Sequence, residues 1–402
     1  MLLAGEMLAR RNAPPFWNRP HPLAPATHHA IISLCARITI SSRQSDIEAG
    51  VSGANCASRW RESEVIVRLE AHRLDLKLAV PFRIARGVQY YAHNVVIQLS
   101  DGDLAGLGEA APSPYYGETQ ETVLACLSHF GEQLGDDPLA LETCLDTLDH
   151  IIGHNPAAKA AVDIALHDLI GKKLGIPIYR LFGLSADRTP LTSFTIGLDT
   201  PEAMARKAQA AQGYPVLKVK LGTPDDLAII RAIRNVSSAT IRVDANAAWT
   251  PKQAINTIQA IAHYGIELVE QPVHPADLEG LRLVREHAPM PIIADESCVT
   301  LRDIPRVAGC VDGINIKLMK CGGLRQALKM IHTARAHGLQ VMVGCMIESA
   351  IAITAAAHLS PLIDYADLDG NLLVEADPYT GVRVIAGRLT LPDTPGLGIV
   401  SA

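Results

Sequence analysis

The sequence predicts an α/β protein whose main body is a TIM-type (β/α) barrel, with an α+β domain ahead of it. Three observations predict this. From Thr192 onward, short β-rich runs alternate with amphipathic helical runs, the pattern of parallel βα units. Eight strand candidates begin at Thr192, Leu217, Ile241, Ile266, Pro291, Asp312, Leu339 and Asp364, separated by seven intervals of 21 to 27 residues, which suits one closed barrel. The 402 residues exceed one ordinary domain, and a 48% hydrophobic composition supplies a large core.

In chain order, residues 1–62 read as an extension outside the fold. Up to Arg61 they hold seven Arg, no Lys and three acidic residues, with Pro-rich pieces such as Ala13-Pro14-Pro15. A translated upstream segment or a floppy extension accounts for them; an Arg-rich, acid-poor organelle transit peptide is the alternative. Residues 63–185 form the α+β domain. It has strand-like stretches at Val65–Val80 and Asn94–Leu99, a Gly-rich bend through Gly106–Glu109, and then long helical runs, one opening at Asn155-Pro156 and closed by Gly175. Residues 186–378 form the barrel, where Thr200-Pro201 and Thr250-Pro251 each set an N-cap before a proline at the first helical position. Residues 379–402, with a β-like stretch at Val382–Leu391 and the ending Pro395-Gly396-Leu397-Gly398, are expected to return to the first domain.

Composition narrows the function. With 36 Lys plus Arg against 42 Asp plus Glu, the net charge of −6 gives no general reason to bind nucleic acid or an anionic membrane. No apolar run approaches the length of about 20 residues that spans a bilayer. The eight cysteines form no CxxC pair and no dense framework, a usage that suits a reducing cytoplasm. A small-molecule partner is the remaining expectation.

Barrels of this type carry their chemistry at the C-terminal ends of the strands. Strand two ends in Lys218 and Lys220, which alternation puts on one face. Their mutual repulsion should lower the proton affinity of one and make it a general base. Strands three, four and five end in Asp244, Glu270 and Asp295, an oxygen-only set that suits a hard divalent cation, Mg²⁺ before zinc. Strand six, opposite strand two in a ring of eight, ends in Lys317. Strand eight ends in Asp367 and Asp369 and lies opposite the carboxylates. A substrate carboxylate on the metal and an ammonium on the Asp pair would hold an α-carbon between Lys220 and Lys317. One lysine would take the α-proton, the metal would offset the charge of the enediolate, and the other lysine would return a proton to the opposite face.

This constellation resembles the enolase superfamily over roughly residues 65–400, and within it the muconate-lactonizing subgroup. The resemblance rests on Lys218-Val219-Lys220, the Asp, Glu and Asp ligands, and Lys317. It extends to Pro81-Phe82-Arg83-Ile84 in a first capping loop, Gly117-Glu118-Thr119 in a second, Asn315-Ile316-Lys317, and Gly344-Cys345-Met346-Ile347-Glu348-Ser349. It implies a modified (β/α)7β barrel, one Mg²⁺ per subunit, and a homo-oligomer. The Asp367-Leu368-Asp369 pattern is similar to that of the dipeptide epimerases, where it binds the substrate ammonium; Thr195 and Cys345 would then border the substrate.

The resemblance implies an isomerase that inverts the C-terminal residue of a dipeptide, with L-Ala-D/L-Glu first. Members acting on that substrate carry an arginine in the first capping loop; here Gly87 or Gln89 stands at the matching position, and Arg86 is the neighbour left to reach a glutamate. If it does not, a hydrophobic dipeptide is expected, with Tyr90, Tyr115 and Tyr116 to line its pocket. Two other readings stay open: elimination or cycloisomerisation through the same enediolate, as in o-succinylbenzoate synthases and muconate lactonizing enzymes, and a non-enzymatic binding barrel. Taken singly, each strand-end Asp is a common helix N-cap, and Asp367 and Asp369 precede a turn at Gly370. Glu296 is either a partner of the metal ligands or a loop cap. Lys320 reads as a loop residue, and Glu109 has no assigned role.

Overall fold

A computed structural model describes residues 67–402 other than 132 and 136. The expected extension over residues 1–62 lies outside the described residues. Three antiparallel strands in the order β1-β2-β3 begin the described chain: β1 (Arg68–Ile84), β2 (Gly87–Asp101) and β3 (Leu104–Ala110). Four helices follow, α1 (Gln120–Phe130), α2 (Leu141–Ile151), α3 (Pro156–Leu174) and the short α4 (Ile178–Leu181). We call this part the cap.

Two expectations for the cap change. The glycines at 106 and 108 do not make a bend; they lie within β3. A Cβ on Gly106 would sit 2.1 Å from the Ala165 carbonyl oxygen, and one on Gly108 would sit 2.0 Å from that of Ala161. The glycines are there because α3 presses its backbone against the strand. The stretch Pro81–Ile84 is the end of a long hairpin instead of a loop. Pairing slips between Lys77 and Phe82, then resumes as Phe82↔Gln89, Arg83↔Val88 and Ile84↔Gly87. The slip admits Pro81, which has no N–H to give a ladder.

The barrel strands are β4 (Phe194–Ile196), β5 (Val216–Lys220), β6 (Thr240–Asp244), β7 (Ile266–Glu270), β8 (Ile292–Ala294), β9 (Gly313–Lys317), β10 (Gln340–Gly344) and β11 (Tyr365–Asp367). Neighbours run parallel in sequence order, and a bridge between Thr192 and Ala366 joins the last strand to the first. Every strand begins within two residues of its expected start. The helices between them are α5 (Pro201–Ala210), α6 (Asp226–Arg234), α7 (Pro251–Ile261), α8 (Leu278–His287), α9 (Ile304–Val307), α10 (Leu318–Cys321), α11 (Leu324–Ala336) and α12 (Ala350–Ala357). Thr200 and Thr250 cap α5 and α7 as expected, accepting from the N–H of Ala203 and Gln253. After β11 a single 3-10 turn at Gly370–Leu372 stands where an eighth helix would lie, so the architecture is (β/α)7β.

Alternation stacks the barrel interior in two layers. Leu268, Ile293 and Met342, with Tyr365 packed against them, form an apolar plug. Two residues further along each of these strands come Glu270, Asp295, Gly344 and Asp367, so the polar layer sits on the plug at the C-terminal end. The chain then forms two short pairs, β12 (Tyr379–Thr380) with β15 (Val400–Ser401) and β13 (Arg383–Ile385) with β14 (Arg388–Thr390). Its last turn lies on α3, where the Leu397 N–H donates to Asp168 Oδ1 at 2.7 Å. Among the described residues, no helix is long and apolar enough to cross a membrane.

Candidate active site

Eleven residues were expected at this site. Nine of them, Arg86, Thr195, Lys218, Lys220, Asp295, Lys317, Cys345, Asp367 and Asp369, line one cavity of about 1100 Å³ beneath the cap. Asp244 and Glu270 lie behind that wall and are fully buried. The ends of β5 and β6 are in register, Lys220 beside Asp244, and the ends of β6 and β7 pair Asp244 with Glu270, so the parallel ladder itself gathers the charges.

The ammonium groups lie on the carboxylates. Lys218 Nζ is 2.6 Å from Asp367 Oδ2, 2.7 Å from Glu270 Oε2 and 3.2 Å from Asp244 Oδ2. Lys220 Nζ is 2.6 Å from Asp244 Oδ2, and Lys317 Nζ is 2.9 Å from Asp295 Oδ2. The expected repulsion between Lys218 and Lys220 therefore does not govern Lys218. Burial presses its pKa down, but Asp367, Glu270 and Asp244 outweigh burial and lift it well above the ordinary value. Lys317 is raised in the same way, with Asp295 and Glu270 overcoming burial.

The carboxylates divide in the opposite sense. Burial alone would raise Asp244 and Asp295, but Lys220 with Lys218, and Lys317 with Lys320, hold them well below the usual carboxylate range. Glu270 is pushed up to about 7 by burial and the neighbouring Asp244 charge. Its Oε2 has no aligned hydrogen-bond donor, although the Lys218 ammonium is near. At the far side, Asp367 accepts from the Ser193 hydroxyl at 2.6 Å and is held down by Lys218. Asp369 accepts from the Thr195 N–H at 2.6 Å, and burial with the Asp367 charge pushes it up to about 7. It is a buried carboxylate short of a cation.

Several contributors escaped sequence reasoning. Lys320 is not a loop residue: it is 1% exposed, and its ammonium reaches Asp295 Oδ1 at 2.5 Å and the carbonyls of Asp295, Asn315 and Cys298 at 2.7, 2.9 and 3.1 Å. The turn of α10 directly after β9 brings it back, and only its spacing of three from Lys317 could have hinted at this. Asn315 donates to Glu270 Oε1 at 2.8 Å. Gln271, at φ 35°, turns its side-chain oxygen to the N–H groups of Asp295 and Ser297. Glu296 pairs with Arg86, whose Nη1 lies 2.7 Å from its Oε1. Cys345 directs its thiol to the Asp367 carbonyl at 3.3 Å.

As they stand, the three carboxylates face ammonium groups, and among the described residues no three His, Cys, Asp or Glu side chains gather at ligand separation. The donor set nevertheless fits a hard dication: three buried carboxylates from successive strands, one of them with an oxygen lacking an aligned donor.

Residues 202–401 match the family described as enolase C-terminal domain-like, and residues 65–183 match the mandelate racemase / muconate lactonizing enzyme N-terminal domain. The chain belongs to the enolase superfamily. Among its relatives in this superfamily is the L-Ala-D/L-Glu epimerase of Bacteroides thetaiotaomicron, 44% identical over 81% of this chain and 86% of that protein. The hydrophobic dipeptide epimerase of Enterococcus faecalis is 42% identical over 83% of this chain and 99% of the relative. A crystal structure of a dipeptide epimerase from Enterococcus faecalis, complexed with Mg and L-Leu-L-Tyr, superposes with a TM-score of 0.80 at 41% identity, covering 84% of this chain and all of that one.

Proposed function

We propose that this enolase-superfamily member is a dipeptide epimerase, inverting the α-carbon of the C-terminal residue by 1,1-proton transfer. The observation that carries the reading is the pairing of Lys220 and Lys317, on β5 and β9, around one cavity that also presents Asp369. In a ring of eight strands these two lie opposite each other.

In this reading Asp369, with Asp367 beside it, binds the dipeptide's ammonium group and fixes the α-carbon. Asp244, Glu270 and Asp295 hold Mg²⁺, which when bound offsets the negative charge that gathers on the substrate carboxylate during proton removal. Lys218 stays protonated against Asp367 and Glu270 and adds a fixed positive charge beside that carboxylate. Lys220, acting as the base, takes the α-proton from one face, and the electron pair delocalises into the carboxylate. Protonated Lys317 returns a proton to the opposite face. The reverse direction exchanges the two roles, and no proton is gained or lost overall. The cap closes over the cavity and limits water, which strengthens each of these charge interactions.

The relatives do not choose a side chain, since an L-Ala-D/L-Glu and a hydrophobic dipeptide epimerase stand at 44% and 42% identity. A cytoplasmic setting is supported by the six described cysteines, all free thiols. The test is α-proton exchange into a mass-resolved dipeptide library in D₂O with Mg²⁺. Deuterium gain by a dipeptide, together with inversion that is lost in both Lys220→Ala and Lys317→Ala, is the expected result. No gain in any dipeptide would send the assignment to an elimination or cycloisomerisation through the same enediolate.

A further inference from the structure

We propose that the dipeptides this site turns over carry an uncharged, apolar side chain on the residue that inverts. The inference rests on the epimerase reading above and concerns only the substrate class.

The argument is one of charge matching. Six basic side chains line the cavity: Arg73, Arg86, His93, Lys218, Lys220 and Lys317. Each already lies against a carboxylate. The three lysines hold the carboxylates at the strand ends. His93 Nδ1 lies 2.7 Å from Asp75 Oδ1, and Arg73 reaches Glu121 at 3.0 Å and also bonds Gln120. Arg86 reaches Glu296 at 2.7 Å and the Asn246 carbonyl at 3.0 Å, and its guanidinium lies 4.4 Å from the centre of the Tyr115 ring. Arg73 and His93 sit in exposed pairs, their side chains 52% and 62% exposed, where solvent screens what they could add for a substrate. Arg86 is less exposed, at 33%, and would serve a second substrate carboxylate at the expense of Glu296. That exchange is costly because the Glu296 side chain is 1% exposed, and Arg86 is the cation paired with it. Losing the partner would leave a buried, uncompensated charge.

The uncharged part of the wall favours the alternative. Ile84, Val88, Tyr115, Tyr116, Ile347 and Leu373 line the same cavity, and Tyr115 meets Tyr116 edge to face at 5.0 Å. An apolar side chain entering this space leaves water without disturbing an ion pair, in whichever direction it points. A volume of about 1100 Å³ also leaves room for a large one.

The experiment compares kcat/KM for inversion of L-Ala-L-Leu, L-Ala-L-Phe and L-Ala-L-Glu by the Mg²⁺-loaded full chain, with Glu296→Gln alongside. The parent should favour the apolar substrates at least about tenfold, the scale of discrimination one pocket contact supplies. Glu296→Gln frees Arg86, so the ratio should move toward L-Ala-L-Glu by about tenfold. The ratio is the readout, so a change in overall rate from the neighbouring Asp295 does not obscure it. A parent that prefers L-Ala-L-Glu overturns the substrate class while leaving the epimerase reading intact. An apolar preference that Glu296→Gln does not move overturns the Arg86–Glu296 explanation. Inversion of no dipeptide at all overturns both this inference and the reading beneath it.

Discussion

Glu109, on the third strand of the cap, holds Ser349 at the entrance to α12 by two bonds: its carboxylate accepts from the Ser349 N–H at 2.9 Å and from the Ser349 hydroxyl at 2.6 Å. The same carboxylate accepts from the Ala352 N–H at 3.2 Å and from Asn94 at 2.8 Å, while Asn94 also donates to the Ile347 carbonyl at 3.0 Å. The cap thus grips the segment that follows β10, where Cys345, Met346 and Ile347 face the cavity. A carboxylate at the start of a helix also meets the positive end of its dipole.

Glu109→Gln puts an NH₂ group where an oxygen accepted donors, so at least one buried N–H or O–H loses its partner. The variant should unfold with about 2 kcal/mol less free energy in urea, the scale for a bond to a charged acceptor. The KM for the dipeptide should rise with it, because the pocket wall is loosened. Parent-like stability would remove the latch from this account.

Lys320 should matter to stability more than its place after the strand suggests. Replacing it with Met leaves Asp295 short of a cation and three carbonyls short of a donor, with a loss of about 3 kcal/mol expected for a broken buried pair. Thermal unfolding of the folded variant measures this. A change under 1 kcal/mol, roughly what exposed pairs contribute, would mean that Lys317 alone compensates Asp295.

The two-base arrangement predicts a stereochemical signature. In Lys317→Ala, α-proton exchange should persist only for the epimer whose proton faces Lys220, and Lys220→Ala should show the mirror pattern. Inversion itself should fall by at least about 10³-fold in each, within the range for losing a positioned acid or base. Equal residual exchange of both epimers in either variant would contradict opposed faces.

His358 sets an acid limit on the fold. Its Nε2 lies 3.2 Å from the Leu397 carbonyl, and its Nδ1 accepts from the Tyr179 N–H at 3.3 Å, so the neutral ring satisfies both neighbours and the charged ring cannot. Burial pushes its pKa down to about 4. A folded-state pKa below the unfolded value means stability that is complete above about pH 6.5 and is lost as pH falls toward 4. The loss should amount to about 3 kcal/mol. His358→Gln keeps an acceptor and a donor without titrating, so its urea midpoint should change less between pH 7 and pH 4.5 than that of the parent.

Adding Mg²⁺ to chelated protein should raise its melting temperature. An ion at about 100 times its dissociation constant adds about 2.7 kcal/mol. Asp244→Asn should abolish most of that shift. A melting temperature indifferent to Mg²⁺ would disconnect the three carboxylates from metal binding.

Much of this molecule was legible in one dimension because a parallel barrel converts sequence spacing into position. Eight runs at near-regular intervals gave strands within two residues of their expected starts. The two-residue alternation of a strand then set Lys218 with Lys220, and Asp367 with Asp369, toward one centre. What the chain order does not encode is which charge answers which. One of Lys218 and Lys220 was expected to be depressed by the other, yet Lys218 is raised by three carboxylates from β6, β7 and β11, and coulombic sums of that kind depend on distances across the ring. Gly106 and Gly108 looked like a bend because a sequence cannot display the helix packed against them. Lys320 looked like a loop residue, and Glu296 stayed open between a partner of the metal ligands and a loop cap, because their partners lie 25 residues before and 210 residues before them, Asp295 and Arg86 respectively. The sequence by itself determined the strands, the order of the chemical groups and the faces they occupy, since those follow from local periodicity. The tertiary structure decided which groups are paired, which are short of a partner and whether Arg86 is free, since burial and ion pairing exist only after distant strands have closed into a ring.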